Sequence, residues 1–112
     1  MTTASGLFWV NQRPAVTVDY EFTPTAVNRC TLLSWLSETF QFAEYFGNNW
    51  DAAWDCLSEV PWNPQQPLRL YISFAKATVI EADALEQFIQ LLADAASEWQ
   101  SLTVYLQAPV NP

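Results

Sequence analysis

At 112 residues and 51% hydrophobic, the chain has the size and apolar content of one folded domain, which excludes a disordered tail or a two-domain enzyme. Twelve acidic against four basic side chains leave a net charge of -8, which excludes nucleic acid as a direct ligand because little is present to neutralise a phosphate backbone. There is no histidine and there are only two glycines, so imidazole catalysis and glycine-rich phosphate loops are excluded as well.

In chain order, 6–10 is a short apolar piece that suits either an edge strand or a docking arm. Residues 15–20, Ala-Val-Thr-Val-Asp-Tyr, form a β-branched run closed by Thr23-Pro24-Thr25, and this predicts the first strand. Over 28–41, Leu32, Leu36 and Phe40 recur at four-residue steps, with Leu33 and Cys30 widening the stripe and Ser34, Ser37 and Glu38 opposite. That spacing predicts an amphipathic helix.

A second helix is predicted over 49–59, with Trp50, Ala53, Leu57 and Val60 on its apolar stripe and Asn48 or Asn49 as its cap. Three prolines within 61–67 make the next stretch a connector. Residues 68–72 suit a second strand, and 102–106 alternate as a third. Between them, over 81–99, Leu85, Phe88, Ile89, Leu92, Ala95, Ala96 and Trp99 recur at three and four, the pattern of a long helix. Strands separated by helices imply right-handed parallel crossovers, so the fold class is α/β, a three-stranded, mainly parallel sheet packed with helices. One domain is expected over 1–112, with its core at about 15–106 and an N-terminal arm at 1–14.

Cys30 and Cys56 are too few for a disulfide scaffold and have no metal-ligand spacing, so reduced, buried thiols are expected. No basic leader and no run of about 20 apolar residues is present, which points to a cytoplasmic protein with no membrane partner. No cofactor or metal site is expected, since two carboxylates without a ligand-rich loop hold divalent ions weakly.

The charge is unevenly placed. No basic residue falls between Arg29 and Arg69, where Glu38, Glu44, Asp51, Asp55 and Glu59 lie, and none follows Ala77, where Glu81, Asp83, Glu86, Asp94 and Glu98 lie. Such acidity also serves solubility, so composition alone leaves that reading open. The second helix sharpens it: Asp51, Trp54, Asp55 and Ser58 share a face, and two carboxylates at i and i+4 repel by a few tenths of a kcal/mol. A pair that opposes its own helix invites an explanation from outside the chain. Read instead as a catalytic acid and base, the same two carboxylates lack a cleft, and an enzyme is not expected.

The thirteen residues from Tyr45 to Leu57, Tyr-Phe-Gly-Asn-Asn-Trp-Asp-Ala-Ala-Trp-Asp-Cys-Leu, resemble the signature of the barstar family: an aromatic pair and glycine, then Asn, Asp and Trp-Asp-Cys-Leu. The order of elements from Ala15 to Leu106 resembles that family too. The resemblance implies a barstar-like fold and an inhibitor that covers a basic, extracellular-type ribonuclease in a one-to-one complex and is a monomer when free. Asp55 matches the family's dominant contact, a carboxylate seated where an RNA phosphate would bind. Tyr45, Phe46, Gly47, Asn49, Asp51, Trp54, Ser58 and Asp94 match supporting positions. Asn48 stands where the founding member is acidic, and Phe46 lacks a phenol, so the identity of the client differs more readily than its class. The alternative is an immunity protein of the same fold for a different basic toxin or nuclease. The family's founding complex is itself a standard example of electrostatic steering and of interface hot spots, and those expectations are carried over from it.

Overall fold

A computed structural model describes residues 6–42 and 49–110. Its elements are β1 (Leu7–Val10), β2 (Tyr20–Phe22), β3 (Ala26–Val27), α1 (Arg29–Phe40), α2 (Trp50–Ser58), β4 (Leu68–Ser73), β5 (Val79–Ile80), α3 (Ala82–Glu98) and β6 (Leu102–Gln107). The protein is α/β, as predicted. Its main sheet has the order β1-β6-β4-β2 with every neighbouring pair parallel, and β3 and β5 form a separate two-stranded parallel pair.

The helix limits follow from their caps. Asn28, in an extended conformation, accepts a bond from the Thr31 N–H at 2.8 Å and starts α1. Gln41 ends it in the left-handed region at φ 54, its N–H bonded to the Ser37 carbonyl, a stop more often made by glycine. In α3, Ala84, Phe88, Leu91, Leu92, Ala95 and Ala96 are buried at three- and four-residue steps. They pack on one face of the sheet, where β6 supplies Leu102, Val104 and Leu106 and β4 supplies Leu70 and Ile72. Phe88 is fully buried at the centre, with Phe22, Trp35 and Phe74 edge-on to it at 6.3 to 6.5 Å. Burial of a ring of that size is worth about 1.5–3 kcal/mol.

The structure moves the first predicted strand and adds another. Residues 15–18 are not in the sheet. The ladder begins only where the Asp19 N–H bonds the Arg69 carbonyl at 2.8 Å and the Arg69 N–H bonds Asp19 Oδ2 at 2.7 Å. Leu7–Val10 is the edge strand of the two roles the sequence left open for it, and pairs with Val104 to Gln107 as a fourth strand. Gly6 makes that possible: at φ +91 it turns into β1 so close to β6 that a Cβ would sit 2.6 Å from the Leu102 carbonyl oxygen.

Because β1 and β2 lie on opposite edges, the connection 11–19 must cross the whole sheet. All three helices share the core of one face, and the right-handed crossover rule sends this backward connection over the other. Two observations agree. Arg13 Nε lies 3.0 Å from Glu21 Oε1, on the residue in register with Tyr71. Tyr71 itself is buried although it is no member of the core cluster, and its hydroxyl bonds the Gln107 side chain.

Neither cysteine is in a disulfide, and neither is the buried thiol expected from the sequence: Cys30 is exposed and Cys56 half-buried. At about 100° per residue Cys30 points roughly 160° away from Leu32, so it stands off the apolar stripe rather than widening it. Among the described residues no helix is long and apolar enough to cross a membrane.

Candidate functional site

Helix α2 is short and strongly sided. Asn49, extended at φ -136, accepts the Ala52 N–H at 2.7 Å and fixes its start, so Asn49 and not Asn48 is the cap. Asp51 follows in the first turn, where the positive end of the helix favours a carboxylate. Ala53 and Leu57 are buried, while Asp51, Asp55 and Ser58 are exposed. The apolar stripe of α2 is thus seated on the core, and its two aspartates project away from it, one turn apart.

Aromatic packing holds the helix in place. Trp50 lies 6.4 Å from Phe88. Trp54 rests against Trp99 at 5.2 Å, Trp99 stacks on Trp62 at 5.1 Å with planes 15° apart, and Trp62 meets Phe40 at 5.9 Å. The indole N–H of Trp62 donates at 2.9 Å to the Leu57 carbonyl, which also accepts from the Val60 N–H, and so ties the ring to the end of α2. Trp54 is therefore both a packing residue and a surface one: half-buried, it gives one face to Trp99 and lines a groove with the rest.

That groove, of about 390 Å³, runs between α2 and α3. Trp50, Trp54 and Leu91 are its buried or half-buried members, and Asp51, Gln87, Gln90 and Asp94 its exposed ones. The structure thus brings Asp94, forty residues further along the chain, to the same groove as Asp51 and Trp54. The Asp94 carboxylate accepts a bond from Gln90 Nε2 at 2.9 Å, which fixes its direction. The Ser58 hydroxyl donates to the Trp54 carbonyl at 2.9 Å, so it offers a partner an acceptor more readily than a donor. Among the described residues no cation pairs with Asp51, Asp55 or Asp94, and the ion pair found there joins Arg13 to Glu21 on β2.

Tyr45, Phe46 and Gly47, expected to contribute from the loop before α2, lie outside the described residues. The sequence reading missed Gln87 and Gln90 on the rim and the Trp62–Trp99 support beneath. The glutamines carried a usable signal, since 87, 90, 91 and 94 follow three- and four-residue spacing on one face of α3. Chemically, the surface displays fixed carboxylates beside apolar ring faces.

Comparison with known proteins adds one positive finding. No curated protein matches the chain in a sequence search. A family model described as Barstar (barnase inhibitor) matches residues 17–109, from just before β2 to just past β6. With most of its length matched, and with helix α2 built as described, this chain belongs to the barstar family.

Proposed function

We propose that the protein is an inhibitor of a basic, barnase-type ribonuclease, acting in the cytoplasm as one inhibitor per enzyme. Helix α2 and the residues before it enter the enzyme's cleft, and Asp55 and Asp51 occupy places where RNA phosphates would bind. The observation that carries this reading is the exposure of Asp51 and Asp55 on a helix pinned to the core, with no cation of the described chain neutralising them. The barstar match supports an inhibitor of the barnase type and is the reason a ribonuclease is chosen over other basic clients.

The physics is that of a rigid decoy. A ribonuclease cleft presents Arg, Lys and His for a phosphate backbone, and carboxylates make charge-assisted bonds with the same groups. Because α2 is capped at Asn49 and braced by Trp62 and Trp99, little ordering entropy is lost on binding. Asp94, across the groove from α2, extends the negative surface to a second element. Asn49, Trp54 and Ser58 complete the contact surface, together with Tyr45, Phe46 and Gly47.

The test is a titration of a barnase-type ribonuclease with the purified protein. Activity should fall linearly to near zero at one equivalent. Full activity with excess protein, across several microbial ribonucleases of that class, would reject the reading.

A further inference from the structure

Strand β1 precedes the span matched by the barstar model and contributes nothing to the groove between α2 and α3. It is nevertheless an edge of the sheet with one side paired and, among the described residues, one side open. The Gly6 carbonyl accepts from the Val104 N–H. Residues of a strand turn their backbone groups alternately to its two sides, so Gly6, Phe8 and Val10 address β6 while Leu7 and Trp9 direct theirs outward. Natural edges are commonly blunted by lysine, proline or a bulge. Leu-Phe-Trp-Val has neither residue and pairs in continuous register, and Phe8 and Trp9 are 50% and 55% exposed.

Charge selects the occupant. Residues 1–12 and 99–112 contain no Asp, Glu, Lys or Arg, so β1 and its neighbour β6 hold none of the charged side chains of a chain with net charge -8. A charged partner finds no ionic contact on this side, whereas a second copy brings no like charge to the seam.

We infer that the free edge of β1 pairs antiparallel with β1 of a second copy of this chain, forming a two-fold dimer with one continuous sheet. The edge is self-complementary. With the two-fold axis at Phe8, Leu7 of each copy opposes the second copy's Trp9 as a hydrogen-bonded pair, so every outward N–H and C=O of Leu7 and Trp9 finds a partner. The two Phe8 rings then meet on the face away from the helices, where each already stacks on its own Tyr105 at 5.8 Å. This departs from the free monomer expected from the sequence and does not depend on the ribonuclease reading.

The experiment is sedimentation velocity on the full chain over a wide micromolar range, at low and high salt, with amide exchange on the same samples. Mass should rise toward twice that of the monomer with concentration, and more so at high salt, because screening weakens repulsion between two molecules of charge -8. The Leu7 and Trp9 amides should gain protection in step with the mass, which reads the wild-type edge directly. Phe8→Lys should stay monomeric with its circular dichroism and ribonuclease titration unchanged. A constant monomer mass overturns the inference, as does a rising mass with Leu7 and Trp9 unprotected. Protection of both amides at every concentration in a monomer would overturn it by assigning the edge to the chain's own Met1 to Ser5.

Discussion

Trp54 on α2 lies against Trp99, the residue that ends α3, with ring centroids 5.2 Å apart and planes inclined by 32°. This contact couples the helix that carries Asp51 and Asp55 to the helix that carries Asp94, and Trp62 continues it on the far side of Trp99. The acidic surface is thus displayed on an aromatic support rather than on a loop.

Removing the middle of that support should therefore cost stability first. Trp99→Ala is expected to lower unfolding free energy by about 3 kcal/mol, the low end for a large aromatic because Trp99 is only half-buried. Urea denaturation measures it. Binding of the ribonuclease by the folded variant should weaken less than in Asp55→Ala, since Trp99 acts on the acidic face only through its packing on Trp54.

Among the acidic residues, position and not charge decides the effect. Asp55→Ala should weaken ribonuclease binding by more than about 2 kcal/mol, whereas Glu59→Ala, the capping position at the end of α2, should cost well under 1 kcal/mol. Calorimetric titration of both variants checks this, and equal losses would contradict the face assigned to the interface.

Association should be fast at low salt and slow steeply as salt rises, since the screening length falls to about 10 Å at 0.1 M. Dissociation should change little, because charge pairs buried in the interface are screened less. Stopped-flow rates at several ionic strengths separate the two, and an association rate independent of salt would argue against steering.

Two backbone devices make separate predictions. Asn49→Ala removes the acceptor for the Ala52 N–H and should cost about 1 kcal/mol of stability. Gly6→Ala forces a side chain into a left-handed conformation and against the Leu102 carbonyl, and should cost about 1–3 kcal/mol while exposing the Val104 amide to exchange. Neither the ribonuclease titration nor the far end of the sheet should respond to the Gly6 change.

The helices were legible because their signals are local. The caps Asn28 and Asn49 fall at the first residues of the two helices predicted over 28–41 and 49–59, and Glu81 and Trp99 bound α3 at the limits of its apolar periodicity. The strands were less so, because pairing is set by distant partners. Val16, Thr17 and Val18 have strand chemistry but fall in the crossing connection, while Tyr20–Phe22 is in the sheet because Asp19 and Arg69 lock the register. Four residues at 7–10 carry too little pattern to announce a strand, and only the proximity of β6, permitted by Gly6, makes them one. The exposed face shared by Asp51, Asp55 and Ser58 followed from helical geometry, whereas their part in a contact surface came from the family resemblance. The burial of half of Trp54 did not follow from that geometry, since nothing local says that Trp99 will meet it.

Competition with nucleotide tests the central claim most directly: the affinity of the protein for a barnase-type ribonuclease, measured against rising concentrations of a mononucleotide that fills the enzyme's phosphate site. If Asp55 stands where a phosphate would bind, the apparent Kd rises in proportion to nucleotide concentration, and in Asp55→Ala the antagonism is much reduced. An apparent Kd that stays constant as the phosphate site fills would show that the acidic helix binds elsewhere, and would contradict the account.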